Sequence, residues 1–162
     1  MNADRSSVWL DGLVAGVLGY VAVVVLIGIV DLALGHSLFH TPATFGHGLI
    51  SSESEHYVSA APVLAYNGLH LLVFLAVGLL VSWLAYEVEM HPVIWYVAFF
   101  ACISLFFMSV LFITALTDPM SDVLPWWAIL GANLVATVVM GTYLAKQHPR
   151  LWSRIEASSA DL

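Results

Sequence analysis

Six polar residues stand inside otherwise apolar stretches of this chain: Asp31, Asn67, His70, Ser109, Thr114 and Asn133. Polar groups in a membrane span are costly and face a bundle interior or a pathway. His70 follows Pro62 by eight residues and Asn133 follows Pro125 by eight. At 1.5 Å per residue each lies roughly 12 Å below one membrane surface. Asn67 is one turn shallower than His70, Asp31 is within a turn of its stretch's end, and Ser109 and Thr114 occupy the same half of the membrane. Asp31 is the one carboxylate and His70 the one histidine expected at such depths, so the set reads as an intramembrane polar cluster. Such a pair could relay a proton or hold a polar ligand; the alternative is an interhelical hydrogen-bond cluster that fixes packing.

A second group, His36, His40, His47 and His56, falls in one connecting segment with Glu53 and Glu55 nearby. Zinc or copper needs three or four such ligands to converge. His36 and His40 have the i, i+4 spacing of one helical face, but Pro42 argues against one uninterrupted helix there. Haem ligation would use His70 with Met108, which stands at a comparable level in the third stretch. The cofactor is therefore open, with haem or a metal ion as the alternatives. No nucleophile–base pair nominates a catalytic site, so no catalytic residue is assigned. Cys102 has no base near it in sequence and reads as packing.

The elements that position these groups are four apolar stretches, at 12–34, 62–86, 92–117 and 123–145. Each exceeds the ~20 residues needed to cross about 30 Å of hydrocarbon. The chain has 162 residues, 61% of them hydrophobic and 9% charged, against about 25% charged in a soluble domain. The expected fold is an all-α integral membrane protein, a four-helix antiparallel up-down bundle over 12–146 with tails at 1–11 and 147–162. The first stretch exceeds a secretory h-region, so an uncleaved first span is expected. The connections are short except 35–61, so spans two, three and four are expected to pack as neighbours. Within that loop Thr41-Pro42 predicts an N-cap and a first helical residue, opening a short interfacial helix through Ala43, Phe45 and Leu49. Gly12 and Gly16 have small-xxx-small spacing, which serves helix packing within the chain or a dimer.

Arg5, Lys146, Arg150 and Arg154 are all the Lys and Arg residues present, and none falls in a connecting loop. The positive-inside rule then places both termini in the cytoplasm. Trp83, Tyr86, Trp95, Tyr96, Trp126, Trp127, Tyr143 and Trp152 form the aromatic belts that such a topology requires. The opposite face carries Glu53, Glu55, Asp118 and Asp122, an acidic rim suited to a basic soluble partner or cations. Nucleic acid is not an expected partner, because basic residues are few and dispersed.

The segments Phe39-His40-Thr41-Pro42-Ala43-Thr44-Phe45-Gly46, Tyr66-Asn67-Gly68-Leu69-His70 and Pro125-Trp126-Trp127 with Asn133 resemble a group of small bacterial four-span membrane proteins of uncharacterised function. That resemblance implies a shared scaffold in the bacterial inner membrane and no particular activity. Small size, little mass outside the bilayer and no catalytic constellation suggest a non-catalytic subunit of a larger membrane complex, in a respiratory or other electron-transport chain. The alternatives are a haem- or metal-binding redox protein and a proton-linked transporter or channel acting as a homo-oligomer.

Overall fold

The computed structural model describes residues 5–50, 60–117 and 124–149. It is all-helical: α1 (Arg5–Ala33), α2 (His40–Ile50), α3 (Ala60–Met90), α4 (Trp95–Thr117) and α5 (Trp126–Gln147), with a 3₁₀ turn at Pro92–Ile94 before α4. Among the described residues three stretches are long and apolar enough to cross a membrane: Ser7–Ala33, Ala60–Met90 and Trp126–Gln147. Four of the five residues in Val21-Ala22-Val23-Val24-Val25 are β-branched valines, which are poor helix formers in water. In hydrocarbon a helix is the one local conformation that pairs all its backbone polar groups, and α1 runs straight through it.

α1 is the centre of the bundle, with α3 and α5 packed against it on two sides. The spans expected as neighbours do touch, α4 meeting both α3 and α5, but α3 and α5 make their larger contacts with α1. The reason is side-chain size. Gly12, Ala15, Gly16 and Gly19 line α1, so backbones can approach it closely. A Cβ at Gly12 would lie 2.8 Å from the Leu79 Cα, and one at Gly16 would lie 2.9 Å from the Leu75 Cα. On the facing helix, a Cβ at Gly78 would meet the Gly12 carbonyl and sit 2.7 Å from the Gly16 nitrogen. The small-residue spacing is thus used inside one chain. α4, rich in phenylalanine, rests only lightly on α3 and α5.

The register of α1 on α3 is antiparallel. The buried Ser82 hydroxyl donates to the Val8 carbonyl at 2.8 Å near one end, and the Tyr20 hydroxyl donates to Asn67 Oδ1 at 3.0 Å towards the other. α5 is antiparallel to α1 as well. Ala15 packs with Met140 and Leu144, Val23 with Ala132 and Ala136, and Val30 with Leu124, Ala128 and Ile129. The start of α1 and the end of α5 therefore share one end of the bundle, where the Tyr143 hydroxyl reaches Asp11 at 3.5 Å. His148 folds back there instead of entering a tail: it is buried, with Nδ1 3.3 Å from Glu89 at the end of α3.

Replacing Gly78 by alanine should lower stability by about 1–3 kcal/mol, the usual cost of overpacking where backbone cannot give way. Gly131→Ala, with nothing within 4 Å of the added carbon, should be neutral or stabilising by up to about 1 kcal/mol. Unfolding midpoints in mixed micelles check this; equal effects at the two positions would refute the close-packing account.

Candidate functional site

The end of α1 turns sharply. The Gly35 amide donates to the Leu32 carbonyl at 3.1 Å and the His36 amide to the Asp31 carbonyl at 2.9 Å. This is a Schellman ending, and Gly35 supplies the left-handed residue it needs at φ 81°. The turn carries the chain directly into α2, whose first turn is fully accounted for. The His40 amide donates to the Ser37 carbonyl at 2.9 Å and the Ala43 amide to the Phe39 carbonyl at 3.0 Å. Pro42 has no amide hydrogen. The remaining donor, the Thr41 amide, goes to Asp31 Oδ2 at 3.0 Å, while the Thr41 hydroxyl goes to Asp31 Oδ1 at 2.6 Å.

Asp31 is thus the cap of α2, supplied from the preceding helix. Thr41 was expected to cap α2 with its own side chain; instead it lies inside the helix, which starts at His40, and is itself capped. Asp31 is fully buried and Thr41 almost so. A carboxylate there has two donors and the positive end of the α2 dipole to face, which is what makes such a buried group tolerable.

Of the six residues expected as a polar cluster, the four whose side chains are described have different direct partners. Asp31 belongs to Thr41. Asn67 accepts from Tyr20 and donates to the Val63 carbonyl at 2.8 Å. His70 is a rung in a ring ladder that climbs one face of α3: Phe45 of α2 on Tyr66 at 5.7 Å, Tyr66 on His70 at 5.1 Å, and His70 on Phe74 at 5.4 Å. Asn133 donates to the Ile129 carbonyl at 3.0 Å on α5. Ser109 and Thr114 fall on α4 and their side chains lie outside the described residues. Asp31, Asn67 and Ser82 tie helix ends and neighbouring helices together. The ladder and Gly46 seat α2 on α3, since a Cβ at Gly46 would lie 2.8 Å from the Pro62 Cα.

Two loop histidines do meet. The His36 and His40 rings are 4.2 Å apart, tilted by 43°. A helical face does not bring them together; the Gly35 turn does, because His36 lies in the connection and His40 opens α2. His36 Nδ1 is buried with no hydrogen-bond partner among the described residues. His47 lies further along α2, and His56, Glu53, Glu55, Ser59, Asp118 and Asp122 lie outside the described residues. Among those described, no three His, Cys, Asp or Glu side chains converge as a metal set. Met108 is 59% exposed on α4, and Cys102 is half-buried on the same helix. Comparison with protein-family models, with curated proteins and with solved structures finds no match to this chain.

Several ties were not visible in the sequence: Tyr20 to Asn67, Ser82 to Val8, Glu89 to His148. The Asp31–Thr41 pair did have a signal, an acid closing one helix ten residues before Thr-Pro opens the next, with glycine between them.

Asp31→Ala should cost about 2–4 kcal/mol, because two buried donors are orphaned at about 1–3 kcal/mol each. Thr41→Val removes one donor and should cost less. A double-mutant cycle should give coupling of at least about 1 kcal/mol, read from unfolding midpoints; additivity would show that the two side chains do not hold each other.

Proposed function

We propose that this chain is a small, non-catalytic membrane subunit that crosses the bilayer four times, with both termini in the cytoplasm, and docks on a larger membrane complex through α4. The light attachment of α4 carries this reading. In hydrocarbon, helices associate by close packing rather than by escape from water, so a helix poorly packed in its own chain finds its partner elsewhere. Val97, Phe100, Ser104, Phe107 and Leu111 are all exposed and follow the 3–4 spacing of a helix-packing seam, with a small hydroxyl residue in the middle.

The fourth crossing is supported by connectivity. α3 ends beside the start of α1, and α5 begins beside the end of α1. The chain between them must travel the bundle's length, and the 23 residues of α4 give about 34 Å at 1.5 Å per residue. The cytoplasmic placement rests on Arg5 and Lys146 sharing one end. A place in an electron-transport chain of a bacterial inner membrane remains part of the proposal, with the acidic loops as the face for a basic carrier. The proton-relay alternative loses support from the engagement of Asp31 with Thr41. The close His36–His40 pair favours a second reading, a metal site completed from the outer loop; a zinc or copper titration that His36→Ala leaves unchanged would dismiss it.

A photo-crosslinking residue at Phe100 or Phe107, irradiated in native membranes, should give one discrete adduct with a different polypeptide. The same probe at the exposed Val25 of α1 should give lipid adducts. Lipid or self adducts alone at all three positions would overturn the subunit reading.

A further inference from the structure

α1 and α3 are clamped by Gly12 against Gly78 and by Ser82 on Val8, and a hollow flanks that contact. A cavity of about 200 Å³ opens there, lined by Val8, Trp9, Leu79, Trp83, Tyr86 and Glu87. A single water needs roughly 10–15 Å³ of such space, so the cavity accepts a group of several heavy atoms.

The lining is chemically uneven. Three aromatic rings and one carboxylate surround an otherwise aliphatic floor. Among the described residues, no hydrogen bond, ring contact or ion pair engages the side chains of Trp9, Trp83, Tyr86 or Glu87. Their neighbours differ: Trp95 and Tyr96 stack on each other at 3.9 Å, and Glu89 is paired with His148. Aromatic faces beside an acid take up an organic ammonium, through the ring quadrupole and the opposite charge. A hard metal ion would need more oxygen ligands, and an acyl chain would gain nothing from the carboxylate.

We propose that this cavity binds the ammonium headgroup of an aminophospholipid. The bundle end where it opens is the level at which tryptophan and tyrosine meet headgroups. Exposed apolar side chains of α1 and α3, Leu13 and Leu80 among them, run away from it and receive the acyl chains. The indole N–H groups, which only donate, serve the phosphate oxygens. The site depends on the chain lying in a bilayer and not on its being a subunit.

The test uses the full chain in mild detergent with equal phosphatidylethanolamine and phosphatidylglycerol, read by native mass spectrometry. The expected result is a preference on the order of tenfold for phosphatidylethanolamine. Glu87→Gln keeps the side chain's volume and should bring that ratio near one. Trp83→Phe should keep most of the preference and Trp83→Leu should lose it, a comparison that stands if the glutamine variant does not fold. Equal retention of the two lipids by the unaltered protein, or a preference that survives both Glu87→Gln and Trp83→Leu, overturns the proposal. Loss of the preference in equimolar free ethanolamine overturns the lipid as the occupant.

Discussion

A buried donor away from water must find its partner within the chain, and the turn between α1 and α2 is where that constraint bears hardest. The chain must end one helix, reverse and start another, leaving orphan carbonyls on one side and orphan amides on the other. Asp31 addresses both sides. Its carbonyl accepts the closing bond of α1 from His36, and its carboxylate accepts the amide and hydroxyl of Thr41. With the turn held, α2 lies where Phe45 reaches Tyr66 and Gly46 meets Pro62, so the Asp31 turn, the ring ladder and Gly46 together seat α2 on α3. The same placement brings His36 onto His40.

The second constraint is how closely helices can approach without a hydrophobic drive between them. Gly12, Gly16 and Gly78 remove the side chains that would hold α1 and α3 apart, and one hydroxyl bond on either side of that contact sets the register. Each such bond is worth about 0.6–2 kcal/mol, so the glycines provide the approach and the hydroxyls provide the choice of register. α4 is the long helix that engages its neighbours least. The cavity lies beside the close contact that secures α1, with Val8 and Leu79 shared by both.

Much of the architecture was legible as pattern. Long apolar runs produce helices in hydrocarbon whatever their propensity, so α1, α3, α4 and α5 were readable to within a few residues at most ends, as was a short helix after Thr41. α1 begins at Arg5, earlier than the apolar run implies, and the Val8 carbonyl already accepts from Ser82 of α3. The candidate site was less legible. Depth along a span follows from counting residues, and Asp31, Asn67 and His70 do share a half of the bundle. Whether they face one another depends on helix rotation, and there the count is silent: His70 turned into an aromatic ladder, Asn67 to Tyr20, and Asp31 to a helix end.

By itself the sequence determined which segments are apolar, how long they are, where Gly35 permits a reversal and where small residues permit close approach. These are properties of single residues and local spacing, and the solvent reads them locally. Only the tertiary structure decided that α1 is central, that Gly12 meets Gly78, that His148 returns to Glu89 and that Trp9, Trp83, Tyr86 and Glu87 share one cavity. Those pairings join residues tens of positions apart, and they follow from the rotation and register at which side chains of different helices fit, which no one helix contains.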